Sequence, residues 1–349
     1  MCGIFGVVST HPLEMDIEKH TQMLSHRGPD DFGIHRDPHA GLGHRRLSII
    51  DLAGSKQPIY NEDGSLCIIF NGEIYNFQEL RRELIAKGHS FTTNGDTETI
   101  LHAFEQWGKN CVDRLRGMFA FAIWDPAGKK LFAARDRLGI KPLFYARHKG
   151  QFYFASEMKA ILADPGFPRR IDKTALTAYF TYSYIPVPLT IFADIQKLEP
   201  GYTITWENGV CRKEKFWDLQ FSTQERKSEK FYMESFMDLL KEAVDLRMIS
   251  EVPLGAFLSG GIDSSTIVAL MSGLSPNPVN TFCIGFGGNT GGYYQYRGAG
   301  AGYLYAICLF FPGGGDDPAG GDDRRDCAHP ASPQERQTPE HPRSGGAQS

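Results

Sequence analysis

The sequence predicts an α+β domain followed by the start of an α/β domain built on a parallel sheet. Three observations carry this. Residues 1–160 alternate short β-rich runs with only two strongly amphipathic helical stretches; one charged helix follows near residue 229; and residues 252–285 then run in the order strand, Gly/Ser turn, helix, strand. Many strands with few helices suit stacked sheets covered by helices, whereas two strands joined by a helix form a βαβ unit.

Gly3–Ser9, Leu66–Phe70, Met118–Trp124, Lys130–Arg135, Pro142–Ala146 and Gln151–Ala155 are β-rich and bounded by Gly, Pro or Asp, so they read as strands. Phe77–Lys87 places Phe77, Leu80, Leu84 and Ile85 on one helical face, and Gly88 ends it. Thr97–Trp107 does the same with Ile100, Leu101, Phe104 and Trp107, stopped by Gly108. Residues 161–215 add strand and turn signals, among them Pro186, Pro188 and Pro200-Gly201. The second region comprises a helix Glu229–Met248, a strand Val252–Leu258, a helix Asp263–Met271 and a strand Val279–Gly285. From Gly287 the chain turns to Gly-rich runs, Asp-Asp pairs and a Pro/Arg/Gln-rich end, which buries too little apolar surface to fold alone. That stretch reads as out-of-frame translation or a joined fragment and is expected to be disordered. The expected domain limits are 2–215 and 229–286, with the tail at 287–349.

Composition narrows the function classes. With 41% hydrophobic residues, 22% charged residues and a net charge of −4, the chain is an ordinary globular one with length for two cores. No basic excess points to nucleic acid, no charge block to a membrane surface, and no apolar run to a transmembrane helix. The N-terminus lacks a signal-peptide layout. Seven cysteines are scattered without a C-x-x-C pair. This argues against a disulfide framework or a zinc site and for a reducing cytoplasm.

Cys2 lies directly behind the initiator Met, where a small second residue favours Met removal. The mature chain would then begin with a thiol and a free α-amine on one residue, and an amine that titrates near ~8 can take the thiol proton. Taken alone, a buried cysteine opening a strand is the commoner reading. An ordered series of motifs reverses this: His26-Arg27-Gly28-Pro29-Asp30, Gly43-His44-Arg45-Arg46-Leu47-Ser48, Phe70-Asn71-Gly72-Glu73-Ile74-Tyr75-Asn76, Gly95-Asp96-Thr97-Glu98, Arg116-Gly117-Met118-Phe119 and Arg135-Asp136-Arg137-Leu138-Gly139. The series resembles the class II glutamine amidotransferase domain of asparagine synthetases, and the resemblance covers about residues 2–215.

The resemblance implies an N-terminal-nucleophile fold, two stacked sheets between helices (αββα). It also implies that Cys2 attacks the glutamine side-chain amide with its own α-amine as base. Asn71 and Gly72 would form the oxyanion hole, Arg46 would hold the glutamine α-carboxylate, and Glu73 with Asp96 would hold the α-ammonium. Each has a plainer alternative. Asp96 could cap the helix that starts at Thr97, Asn71-Gly72 is a common turn pair, and Arg46 could be a solvated surface residue. Lys141-Pro142 and Arg135-Asp136 read as structural turn and ion-pair elements.

Leu258-Ser259-Gly260-Gly261-Ile262-Asp263-Ser264-Ser265 lies where a strand runs into a helix, so backbone N–H groups and the helix dipole face an anion. A Gly-Lys-Ser/Thr element is absent, which excludes a Walker A loop. The pattern resembles the pyrophosphate loop of enzymes that cleave ATP to AMP and pyrophosphate. By that resemblance Ser259, Gly260, Gly261, Asp263 and Ser264 would contact ATP phosphates, and Leu258 and Ile284 the adenine. The substrates implied are glutamine, aspartate and ATP with Mg2+, in a cytoplasmic protein with a homodimer as candidate assembly and neither nucleic acid nor membrane as partner. The second acidic motif of this family is not found after Phe286, so the synthetase half is expected to be incomplete. Two other readings stand beside this one: amidation of a different acceptor, and a non-catalytic remnant.

Overall fold

The computed structural model describes residues 1–221 and 226–284, together with the backbone of a strand at Tyr293–Arg297. Two six-stranded sheets, each antiparallel throughout, form the first region. From edge to edge, one sheet runs Ile195–Lys197, Phe144–His148, Gln151–Ala155, Gly3–Ser9, Ala40–Arg46 and Asp31–Arg36. The other runs Val210–Lys215, Tyr202–Glu207, Lys130–Arg135, Gly117–Asp125, Cys67–Ile74 and Ile59–Tyr60.

Side-chain alternation along the strands explains the layering. Ile4, Val8, Leu42 and Phe154 from one sheet meet Ile69, Ala122, Trp124 and Leu131 from the other in a buried seam. The opposite faces are covered by helices. Phe70, Phe121 and Phe132 pack against Leu80 and Leu84 of helix Phe77–Ala86 and Ile100 and Leu101 of helix Asp96–Trp107. Phe5, Val7 and Tyr153 pack against Ile17 of helix Ile17–Gln22 and Ile161 of helix Met158–Ile161. The result is the αββα arrangement.

Three strands coincide with the sequence reading: Gly3–Ser9, Lys130–Arg135 and Gln151–Ala155. The strand read at Leu66–Phe70 runs on to Ile74 and takes in Asn71, Gly72 and Glu73, paired with Ala120, Phe119 and Met118. The turn alternative for Asn71-Gly72 is therefore overturned by a continuous ladder. Ala40–Arg46 carries no strand signal, being rich in Gly, His and Arg, yet tertiary pairing with Gly3–Ser9 makes it one. Lys173–Tyr182 is a helix inside a stretch read as strand and turn; its Asp172 caps Ala175 N–H at 3.0 Å, which outweighs the β preference of Thr, Tyr and Phe. Ile85 is 51% exposed and does not belong to the buried face that Phe77, Leu80 and Leu84 form.

The second region holds helix Glu229–Leu246, strand Gly255–Phe257, helix Ile262–Leu274 and strand Asn280–Ile284. Gly255–Phe257 pairs in parallel with Asn280–Phe282, the βαβ arrangement the sequence predicts. Tyr293–Arg297 adds an antiparallel strand to Asn280–Ile284. The core is small, with Val244, Met271 and Val279 buried against Ala256 and Leu270. Apart from that strand's backbone, the tail read at 287–349 lies outside the described residues.

Leu84→Ala is expected to cost about 2–5 kcal/mol of unfolding free energy, and Ile85→Ala to stay within about 0.5 kcal/mol. Urea denaturation checks both; equal losses would mean that the covering face of this helix is drawn wrongly.

Candidate active site

Cys2 sits half-buried just before the central strand Gly3–Ser9, whose Gly3 opposes Arg45 across the ladder. Leu47 N–H donates to Cys2 Sγ at 3.4 Å, and the thiol lies 3.7 Å from Leu47 O. Arg27 Nε donates to the Cys2 carbonyl at 2.9 Å while its Nη1 pairs with Glu157 at 3.0 Å. The thiol is thus held at the shared end of two antiparallel strands. Burial pushes its pKa up and Asp96 adds to that, against the opposing pull of the Leu47 N–H, the terminal amine and Arg46. A thiol in this setting stays protonated near neutrality and requires a base. The α-amine present belongs to Met1, and burial pulls its pKa below the usual amine value.

Arg46 is buried, not solvated: its guanidinium donates to the carbonyls of Leu52 at 3.2 Å, Ile50 at 3.4 Å and Asp51 at 2.6 Å. Asp51 adopts a left-handed backbone (φ 51°), which Asp tolerates better than most residues. Its carboxylate accepts from Gly54 N–H, Ser55 Oγ at 2.7 Å and Asn94 N–H at 2.9 Å. The loop that grips Arg46 is therefore tied to the turn that precedes Asp96.

Asp96 is the first residue of its helix, with Gly95 at the cap position. The capping alternative is corrected accordingly, and its carboxylate accepts from Ile74 N–H at 2.9 Å, across to the strand carrying Asn71. Burial raises the Asp96 pKa to about 7, with Glu73 reinforcing the shift. Glu73 is itself raised by burial, opposed by Lys141, Arg247 and the terminal amine. Lys141 is buried with its pKa lowered, and it feels both Glu73 and Cys2. The structural reading of Lys141 did not include its electrostatic coupling to Glu73 and Cys2. Its signal in sequence was weak, since a Lys before a Pro reads first as a turn.

Asn71 is fully buried, and neither atom of its side-chain amide has a hydrogen-bond partner among the described residues. One residue earlier, the buried His44 reaches across the sheets to the Phe70 carbonyl at 3.1 Å, fixing this part of the strand. Gly72 is required here. A Cβ on it would lie 2.1 Å from Met118 O and 2.8 Å from Phe119 Cα.

Cys2, Arg46, Glu73 and Asp96 thus share one electrostatic neighbourhood, with Asn71 and Gly72 on the strand that Asp96 anchors. The loop residues of the second region form a separate group. Ser259 and Ser264 hydroxyls are 3.1 Å apart, and Ser264 Oγ also donates to Gly261 O at 3.1 Å. Gly260 has φ 81°, and the helix from Ile262 has no side-chain cap, which leaves its N-terminal N–H groups turned to the loop. Asp263 is exposed; Leu258 is buried and donates to Phe282 O at 2.8 Å; the Ile284 side chain lies outside the described residues.

Between the groups stands Glu251, which the sequence reading did not single out. Its carboxylate accepts from Asp51 N–H at 3.0 Å and Leu52 N–H at 3.2 Å, and its own N–H donates to Ile49 O at 3.2 Å. The second region thereby clasps the loop that holds Arg46.

Residues 1–217 match the glutamine amidotransferase domain family, and residues 235–299 match the asparagine synthase family. With the αββα fold and the cysteine at the end of its central strand, the first region is a glutamine amidotransferase domain. The chain belongs to the glutamine amidotransferase domain family and is similar along most of its length to glutamine-hydrolysing asparagine synthetases. Asparagine synthetase [glutamine-hydrolyzing] 1 of Bacillus subtilis is 43% identical over 82% of this chain and 46% of that protein. The B. subtilis protein numbered 3 is 40% identical over 78% of this chain and 45% of that protein. The chain spans about half the length of the curated relatives it matches. Among solved structures, B. subtilis glutamine phosphoribosylpyrophosphate amidotransferase is similar at 18% identity and a TM-score of 0.45, over 78% of this chain and 64% of that one. Among the described residues, no helix is long and apolar enough to cross a membrane.

Two expectations follow from the geometry. The Asp96 pKa, raised from an unfolded value near ~3.9 to about 7, makes the folded state bind the extra proton. Stability from this group is complete below about pH 4 and is lost as pH rises through about 7. Asp96→Asn should therefore stabilise the fold more at pH 8 than at pH 5, read as Tm at the two pH values; a pH-independent change would contradict the raised pKa. Glu251→Ala should speed amide exchange at Asp51 and Leu52 by an order of magnitude or more. Unchanged protection would show that the loop holds itself.

Proposed function

We propose that the chain hydrolyses glutamine at Cys2 to glutamate and ammonia, and that in the complete protein the ammonia amidates an aspartyl-AMP made from aspartate and ATP. The observation that carries the first half is Asn71. Leaving a buried amide unpaired costs about 1–3 kcal/mol, and such a group makes sense where a ligand supplies the missing partner.

In this reading the mature chain starts at Cys2. Its α-amine takes the thiol proton as Sγ attacks the glutamine amide carbon. The oxyanion so formed accepts from Asn71 Nδ2 and Gly72 N–H. Collapse expels ammonia with the proton returned by the amine, and water then hydrolyses the γ-glutamyl thioester. Arg46 keeps donors for the glutamine α-carboxylate, because its contacts to the loop use only part of its five-donor fork. Asp96 and Glu73, both held toward protonation in the free chain, would ionise fully against the α-ammonium.

For the second half, Ser259, Gly260, Gly261 and Ser264 at a helix N-terminus present hydroxyls and backbone donors to ATP phosphates, with Leu258 and Ile284 beside the adenine. Donors of this kind suit an anion, and Asp263 is the sole carboxylate among these loop residues, so Mg2+ would arrive on the phosphates rather than in a protein cage. The reading includes the domain limits 2–215 and 229–286, a cytoplasmic setting and a homodimer, as the family resemblance implies.

The test is glutamate release from glutamine with aspartate and MgATP present, asparagine followed in the same run. Cys2→Ala should abolish glutamate release with the fold intact, and Asn71→Ala should lower kcat by about 10²–10³. Persistent turnover in Cys2→Ala would overturn the nucleophile, and an unchanged kcat in Asn71→Ala would remove it from the oxyanion hole.

A further inference from the structure

Away from Cys2, four side chains from separate stretches of the chain converge: Glu62 after the edge strand Ile59–Tyr60, His89 after helix Phe77–Ala86, and His102 and Glu105 one turn apart on helix Asp96–Trp107. One ligand atom from each lies within 4.8 Å of all the others. We propose that Glu62, His89, His102 and Glu105 form a binding site for a zinc-type divalent cation, with ligation through the two Nδ1 atoms and one oxygen of each carboxylate.

The donor set suits such a cation. Two imidazoles and two carboxylates are a combination Zn2+ accepts, and bonds of 2.0–2.2 Å in a tetrahedron place neighbouring ligand atoms about 3.3–3.6 Å apart. Here His102 Nδ1 lies 3.7 Å from Glu62 Oε2, and His89 Nδ1 lies 3.8 Å from Glu105 Oε2. The closer pair, His102 Nδ1 to Glu105 Oε2 at 2.6 Å, shares a proton. The cation would replace that proton and spread the pair by less than about 1 Å.

The surrounding shell also suits a cation. Metal-binding histidines characteristically turn their other ring nitrogen to an oxygen, and ligating carboxylates are themselves hydrogen-bonded. His89, Glu105 and Glu62 follow this pattern, and His102 Nε2, buried without a hydrogen-bond partner among the described residues, has a carboxylate oxygen as its neighbour. His102 Nε2 faces Glu98 Oε1 at 3.6 Å, and Glu98 is buried and fixed by Thr92 and Thr93. His89 Nε2 lies 3.3 Å from Gln106 Oε1. Asn61 Nδ2 donates to Glu105 Oε1 at 2.7 Å, and Ser90 N–H donates to Glu62 Oε1 at 2.9 Å. The ligands are oriented from behind, and His102, with no exposed side-chain surface, anchors the set while Glu62 at 38% exposure leaves a way in. The bound ion would pin the second half of the helix Asp96–Trp107, the element that begins at Asp96.

The experiment is a titration of the full chain with Zn2+ against a chromophoric chelator, repeated with Co2+ by absorption spectroscopy. We expect one equivalent bound in the micromolar range or tighter, a rise in Tm, and a tetrahedral Co2+ spectrum without a thiolate charge-transfer band. His89→Ala and the surface change Glu62→Gln should each weaken binding tenfold or more. Thiolate bands, binding unchanged in both variants, or no binding below about 100 μM would overturn the site and leave an ion-pair network only.

Discussion

The structure depends on the burial of one strand. Every residue of Gly3–Ser9 is buried, because its alternate side chains enter two different cores. Ile4 and Val8 point into the seam between the sheets, while Phe5 and Val7 point under the helices. A slip of one residue would exchange these sets, so the register is held by both faces at once. Gly6 adds a steric lock: a Cβ there would stand 2.1 Å from the Phe154 ring. Cys2, one residue before the strand, inherits this rigidity. A residue at a chain terminus would ordinarily fray; here the neighbouring strand and the Arg27 and Leu47 contacts hold it.

Charge is concentrated where water is scarce. Burial pushes Asp96, Glu73 and the Cys2 thiol toward their neutral forms and pulls Lys141 and the terminal amine the same way. The free site therefore carries groups whose charged forms are poorly solvated, and it leaves the Asn71 amide without a partner. Preorganised polar groups of this kind cost stability in the empty fold and return it on binding.

Asp51 ties the pieces together. Its backbone carbonyl holds Arg46, its carboxylate holds the turn before Asp96, and its N–H is held by Glu251 from the second region. A shift of Glu251 would pass through the loop to the guanidinium and to the helix start. This is a continuous hydrogen-bonded path between the two regions, and it joins the loop beside Cys2 to the segment that leads into the Ser259–Ser264 turn.

By itself the sequence determined the fold class, several strands of the two sheets and the two covering helices near residues 77 and 97, because turn chemistry and hydrophobic period are local properties. It also determined the βαβ start of the second region, since a strand, a Gly/Ser turn and a helix declare themselves in series. Only the tertiary structure decided that Asn71-Gly72 lies within a strand, that Arg46 is buried, and that Ala40–Arg46 pairs with the first strand. Those outcomes come from pairing and burial between segments far apart in the chain, which override local preference. The roles of Asp51, Lys141 and Glu251, and the meeting of Glu62, His89, His102 and Glu105, were illegible for the same reason. Each is an ordinary charged residue in its own stretch, and it acquires chemistry only from neighbours that folding brings to it.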